Sequence, residues 1–211
     1  MGITSDASGD GSPSSIRLAT ERDAEQVAAI YAPNVTDTVI SFETEAPSAE
    51  EMRRRIETTL ERYPWLVCER QGGVLGYAYA GAHGSRAAYR WSVDVSVYVH
   101  ERAHRTGVGR ALYTSLIAAL ILQGFYNAYA GTTLPNPASV GLHEAMGFRP
   151  VGVYQGAGYK MGAWHDVGWW HLPLRERVPD PNPPVDLPSV LGSEGWEAAL
   201  VKGLPLLRSN P

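Results

Sequence analysis

Residues 98–109 read YVHERAHRTGVG, and this stretch decides the fold because it joins two patterns of different period. Before it, Val93, Val95, Val97 and Val99 alternate with Asp94, Ser96 and Tyr98, the period of two that sends successive side chains to opposite faces of a sheet. The strand is expected over residues 89–99. After it, Leu112, Leu116, Ala119 and Leu120 fall on one side of a helix expected over residues 111–123, with Gly124 as its cap. A strand that turns through Gly107 and Gly109 into a helix leaves the amides of Val108, Gly109, Arg110 and Ala111 unpaired at the helix start. There the helix field favours an anion, and the loop taken by itself reads either as a pyrophosphate site or as a plain helix N-terminus. Glycine suits the loop because a Cβ would hold a phosphate away or block the backbone angles. Two other phosphate loops do not fit. A dinucleotide fingerprint wants a third glycine where Leu112 stands and an acid about 20 positions on, where residues 128–130 read AYA. A Walker A loop wants Gly-Lys-Ser or Gly-Lys-Thr, which the chain lacks.

Working outward, Ile16 and Leu18 suggest a first strand. Thr20 and Asp23 form a capping-box pattern ahead of Ala24, Val27, Ala28 and Tyr31, a helix that Pro33 is expected to end. Pro47, Ser48 and Glu51 start a second helix carrying Met52, Ile56, Thr59, Leu60 and Tyr63, with a loop between the two that includes Phe42 and Thr44. Residues 65–70 and 74–81 read as a hairpin through Gly72 and Gly73. Downstream come a short strand at 127–131, a helix opened by Asn136 and Pro137 and closed by Gly147, a strand at 151–154, and a last strand from about Trp164 to Leu174. This order predicts an α/β fold, a mixed, mostly antiparallel twisted sheet with helices on both faces, and not a string of βαβ units.

With 211 residues and 44% of them hydrophobic, one domain with one sizeable core is expected, over residues 15–175. Residues 1–14, rich in Gly, Ser and Asp, are expected to form a disordered head. Residues 176–211, rich in proline, are expected to run along the surface, with a short helical turn near 194–200. The formal charge of −4, with basic residues dispersed apart from Arg53, Arg54 and Arg55, disfavours nucleic acid as a partner. No signal-peptide pattern is visible at the start, and the best apolar run, residues 116–122, is too short for a bilayer. Cys68 is the sole cysteine and sits in an apolar stretch, so no intrachain disulfide is possible and a reducing, cytoplasmic setting fits. His83, His100 and His171 have no ligand spacing with it, and no metal is expected.

The loop also fits the pattern Gln or Arg, two residues, Gly, one residue, Gly or Ala, here on His104, Gly107 and Gly109, with histidine a departure at the first position. That pattern resembles the acetyl-CoA loop of the GNAT acyltransferases. The resemblance is closer to their phosphinothricin acetyltransferase branch, over roughly residues 16–174, through SFETE at 41–45, RYPWLV at 62–67, YAYAG at 77–81, HRTGVG at 104–109, LPNPASVGLHEAMGF at 134–148 and GAWHDVGWW at 162–170. It implies the GNAT fold and an acetyl-CoA-dependent N-acetyltransferase that acts on the α-amine of a small amino acid such as phosphinothricin or methionine sulfoximine. It also implies a homodimer. The resemblance places the cofactor against Val97, Tyr98, Val99, His104, Arg105, Thr106, Gly107, Val108, Gly109 and Arg110, with Asn136 and Ser139 facing the pantetheine arm. Asn136 and Ser139 also suit a helix cap, and the two roles are compatible.

Acyl transfer to an amine needs a free nitrogen lone pair, and a carboxylate with a water can take the proton from an ammonium. Asp94, mid-strand on the face opposite the valines, is the candidate base. The family's residue here is a glutamate, and the loss of one methylene, roughly 1.5 Å of reach, favours relay through water. His143 matches the histidine of the family's LHE run and is the second catalytic candidate. A histidine hydrogen-bonded at the cofactor edge is the reading its helix favours. By resemblance Phe42, Arg86 and Tyr89 line the acceptor pocket, where an arginine suits an oxyanion. Tyr113, Tyr154 and Tyr159 are open choices for the general acid. The alternative to an enzyme is a noncatalytic acyl-CoA-binding or sensing module, which would keep the glycine loop without the acid and the acceptor pocket; a third reading is an interaction protein that uses the proline-rich tail.

Overall fold

The computed structural model describes residues 14–208; the expected head, apart from Ser14, lies outside the described residues. Seven strands form one sheet, β1 (Ser15–Leu18), β2 (Trp65–Arg70), β3 (Gly73–Ala82), β4 (Ser92–Val99), β5 (Asn127–Leu134), β6 (Arg149–Lys160) and β7 (Ala163–Pro173). Their order is β1-β2-β3-β4-β5-β7-β6. Only β4 and β5 pair in parallel, as expected of two strands joined by a helical crossover. The helices are α1 (Ala24–Thr36), α2 (Ala49–Leu60), α3 (Val108–Gln123), α4 (Pro137–Ala145) and α5 (Glu194–Val201).

The period-two strands divide the core in two. Val27, Tyr31, Met52 and Ile56 of α1 and α2 pack with Trp65, Val67 and Tyr77 on one face. Leu112, Leu116 and Leu120 of α3 pack with Leu66, Cys68, Ala78, Val93 and Val95 on the other. Asp94 therefore projects to the α1–α2 side of the sheet. Ser48 caps α2 as expected, its side chain accepting from the amide of Glu51, and the Thr20 amide donates to Asp23 Oδ2 at 2.7 Å.

Several boundaries differ from the sequence reading. Pro33 does not end α1 but lies inside it. The last turn is held by side chains, Asn34 Nδ2 donating to the Ile30 carbonyl and Thr36 Oγ1 to that of Ala32, and by burial of Val35. The strand expected from residue 89 starts at Ser92, because Ala87–Tyr89 form a helical turn. Helix α3 starts at Val108, three residues earlier than expected. Strand β6 runs far past residue 154, because Met161 and Gly162 take positive φ of 51° and 81° and close a tight hairpin with β7.

The tail is the largest correction. Residues 187–208 are anchored in the fold and do not simply run along the surface, since Leu187, Val190, Trp196, Ala199 and Leu200 are buried in the α3-side core. Ser115 Oγ of α3 donates to the Leu200 carbonyl at 2.8 Å and accepts from the Gly203 amide at 3.1 Å. Few, widely spaced apolar residues sufficed because α3 offers a second apolar side for them to cover. Among the described residues no helix is long and apolar enough to cross a membrane.

Candidate active site

The site begins where β4 and β5 part. Strand β4 stays paired with β3 to its end, Val99 opposite Gly76, but its pairing with β5 runs only from Ser92 to Asp94, which faces Tyr129. Beyond Asp94 the two parallel strands diverge, so the β5-facing edge of residues 95–99, including Val97, Tyr98 and Val99, has no strand partner. Such an edge presents unmet amides and carbonyls to whatever enters the wedge.

The glycine loop stands at the wide end of the wedge. Gly107 occupies the N-cap of α3 with φ +87°, and no side chain caps the first turn. The amides of Val108, Gly109 and Arg110 are left for an anion. Gly109 packs closely, since a Cβ there would sit 3.3 Å from Leu142 Cδ2 and 3.6 Å from Val99 Cγ2. The loop side chains mostly serve the loop itself. Thr106 Oγ1 donates to the Ala103 carbonyl at 2.7 Å, and His104 Nε2 lies 3.1 Å from the Val99 carbonyl, so histidine at the first motif position ties the loop to β4. Arg105, at φ +64°, and Arg110 are exposed.

Across the wedge, Asn136 Oδ1 caps α4 by accepting from the Ser139 amide at 3.1 Å. Ser139 Oγ lies 3.0 Å from Thr132 Oγ1 and 3.4 Å from His143 Nδ1, while His143 Nε2 meets the Tyr113 hydroxyl at 3.0 Å. Burial pushes the His143 imidazole down to about 4, which keeps it neutral, and burial pushes the Tyr113 phenol up. His143 packs against Phe148 and Trp170 in the α3-side core. It thus lies on the opposite face of the sheet from Asp94, and the structure does not bring the two catalytic candidates together.

Asp94 instead meets a residue that the sequence reading weighed only as a metal ligand. His83 Nδ1 lies 2.6 Å from Asp94 Oδ1. Burial raises the Asp94 carboxyl above its ordinary range, and the hydrogen bond from His83 opposes that rise. The imidazole stacks on Tyr129 at 4.1 Å between centroids, and it makes edge contacts with Tyr89 and Trp169. Trp169 lies over Gly131, where a Cβ would come within 3.3 Å of its ring, and Tyr89 similarly covers Gly84. Register brings them together: Gly81 faces Asp94 across β3 and β4, so His83, two residues on, shares its face.

The other acceptor-side candidates are spread out. Tyr89 reaches Asp94 through His83, whereas Arg86 is exposed at the start of the Ala87–Tyr89 turn. Phe42 lies on β6, where a Cβ on Gly158 would overlap its ring. Its loop is anchored by Lys160 Nζ, which donates to the carbonyls of Val35 and Ser41 at 2.6 Å each, and by Glu43. The Arg55 guanidinium holds the Glu43 carboxyl below its usual range against the opposing effect of burial. Of the tyrosines considered as acid, Tyr113 is buried beside His143, while Tyr154 and Tyr159 are exposed on β6. Among the described residues no three His, Cys, Asp or Glu side chains converge as a metal site.

This geometry has close counterparts. The chain is 42% identical over 148 residues to a phosphinothricin N-acetyltransferase of Streptomyces viridochromogenes, covering 70% of this chain and 81% of that one. It is 33% identical to an L-methionine sulfoximine/L-methionine sulfone acetyltransferase of Salmonella typhimurium, covering 77% and 96%. The fold superposes with a TM-score of 0.77 on a phosphinothricin acetyltransferase of Sinorhizobium meliloti in complex with AcCoA, at 34% identity over 82% of this chain and 95% of that one. A sequence profile of the Acetyltransferase (GNAT) domain matches residues 16–169, and with these relatives it establishes that the chain belongs to the GNAT acetyltransferase family.

Proposed function

We propose that this protein transfers the acetyl group of acetyl-CoA to the α-amine of a small amino acid of the phosphinothricin or methionine sulfoximine kind. The observation that carries the reading is the position of Asp94, the last β4 residue paired with β5 and a carboxylate at the apex of a wedge that opens toward uncapped helix-start amides. The pyrophosphate sits on the amides of residues 108–110, the Ala111 amide being taken by the Gly107 carbonyl at 2.9 Å, and the pantetheine amides add to the free edge of Val97, Tyr98 and Val99. Asn136 and Ser139 line the opposite wall. The thioester then lies near the apex, beside Asp94, which supplies the negative charge that draws a proton from the acceptor ammonium. Its Oδ1 is already occupied by His83, which argues for relay over direct contact. His143, neutral and on the other face, serves as a positioning residue that holds Ser139 and Tyr113. The relatives named for phosphinothricin and methionine sulfoximine support the acceptor class.

The reading is tested by thiol release from acetyl-CoA with a panel of amines. Turnover with phosphinothricin or methionine sulfoximine at millimolar concentration is expected; turnover confined to aminoglycosides or polyamines would overturn the acceptor class. In the same assay, Arg86→Ala is expected to raise the acceptor KM about tenfold, the cost of a lost charge-assisted contact, with the acetyl-CoA KM unchanged. An unchanged acceptor KM removes Arg86 from the site.

The cytoplasm is the proposed setting, and a homodimer the proposed assembly. Strand β6 is a sheet edge, and Val151, Val153, Tyr154, Tyr159, Met161 and Trp164 on the β6–β7 hairpin are each at least 50% exposed. An edge strand flanked by so much apolar surface suits a second copy of the chain. Light scattering is expected to give twice the chain mass of 22.9 kDa, and a monomer mass at micromolar concentration refutes the dimer.

A further inference from the structure

We infer that His83 is the group that takes the proton from the acceptor amine, with Asp94 behind it as the residue that orients and charges the imidazole. The inference rests on the acetyl-transfer reading above and names the residue through which its relay runs. A carboxylate only accepts hydrogen bonds, so the 2.6 Å contact with Asp94 Oδ1 puts the ring proton on Nδ1 and leaves the lone pair on Nε2. Nε2 has no hydrogen-bond partner among the described residues. The side chain is 24% exposed, which leaves it open to a ligand.

The ring is also held in one orientation. Tyr129 of β5 stacks against it, Tyr89 of the preceding turn and Trp169 of β7 meet it edge-on, and Asp94 of β4 anchors Nδ1. The ionisable groups that face the imidazole are therefore Asp94 and the two phenols, with His171 one layer further out against Tyr129 at 4.8 Å. Asp94 is the only carboxylate among them, and it stabilises the imidazolium as it forms. Trp169 Nε1 is buried beside this cluster without a partner, so the cluster has an unused donor as well as an unused acceptor. The aspartate side chain is short, and the imidazole extends the base from the strand toward the cleft.

The step balances as follows. His83 Nε2 takes one proton from the acceptor ammonium and later releases it to solvent. The freed lone pair forms the C–N bond to the thioester carbon, the C–S bond breaks, and the second proton lost by nitrogen neutralises the CoA thiolate. The products are the N-acetyl amino acid, CoA thiol and one solvent proton.

His83→Gln retains a hydrogen bond to Asp94 but does not accept a proton. It is expected to lower kcat/KM for the acceptor at least about 20-fold at neutral pH, with acetyl-CoA affinity by calorimetry within about twofold, which also reports that the variant is folded. His83→Ala is expected to regain activity on addition of imidazole. A glutamine variant with wild-type kcat/KM, or an alanine variant that imidazole does not rescue, overturns the assignment. A wild-type chain that acetylates no amino acid overturns the acetyl-transfer reading with it, an outcome distinct from an active wild type matched by an active His83→Gln.

Discussion

Asp94→Asn is expected to lower kcat about 100-fold or more, equivalent to about 2.7 kcal/mol of barrier, while the acetyl-CoA dissociation constant stays within about twofold. The replacement has nearly the same shape, and Asp94 lies between Val93 and Val95, whose burial keeps β4 in register. What it removes is the negative charge. An amide cannot stabilise the imidazolium of His83, and it can also present its NH2 to Nδ1 and reverse the ring tautomer. An analogous carboxylate-to-amide change behind a catalytic histidine costs orders of magnitude in rate. Cofactor binding is expected to be spared because the proposed cofactor contacts, the loop amides and the free β4 edge, lie beyond Asp94 toward Val99. Steady-state kinetics with saturating acetyl-CoA, paired with calorimetry, separates the two effects. A folded Asp94→Asn enzyme with full kcat at neutral pH would discard the role of Asp94 and that of the dyad together.

Much of this was readable from local pattern. Valines alternating through residues 93–99 placed Asp94 on its own face, and two glycines before an apolar helix marked the helix start that no side chain caps. What local pattern could not carry was anything set by pairing at a distance. His83 comes to Asp94 only because β3 and β4 pair with Gly81 opposite Asp94, and nothing in the residues around His83 announces that register. The divergence of β4 from β5 is likewise a property of two strands far apart in sequence, Ser92 pairing with Asn127. His143 carried a family motif that suggested chemistry, but its helix packs on the far face, where burial makes it a neutral link between Ser139 and Tyr113. Pro33 misled because a lone proline removes one helix hydrogen bond, and Asn34, Thr36 and the burial of Val35 hold the turn regardless. The tail misled for a related reason: prolines suggested an exposed segment, whereas Trp196 and Leu200 had a core to reach.

That tail sets the second large effect. Gly107→Ala is expected to raise the acetyl-CoA dissociation constant about 30-fold or more, about 2 kcal/mol, and to lower the melting temperature by several degrees. Gly107 has φ +87°, a left-handed conformation that costs an L-residue roughly 1–2 kcal/mol. A Cβ at this position would also collide with the carbonyl oxygen of Leu206. The tail cannot simply retreat. The Arg208 amide donates to the Thr106 carbonyl at 2.9 Å, Gly203 lies against the Ala111 carbonyl so closely that it too has no room for a Cβ, and Ser115 holds both Leu200 and Gly203. The loop is therefore the part expected to yield, and its movement would displace the Val108 and Gly109 amides proposed to hold the pyrophosphate. Binding must then restore the strained conformation, so the strain is expressed as lost affinity. Gly109→Ala is the internal comparison for stability, since the atom nearest its Cβ is a leucine methyl at 3.3 Å that has room to rotate, and its melting temperature is expected to fall less. Calorimetric titration of the folded Gly107→Ala protein with acetyl-CoA decides the matter: a dissociation constant within about twofold of wild type means that the tail-braced loop is not where the pyrophosphate sits.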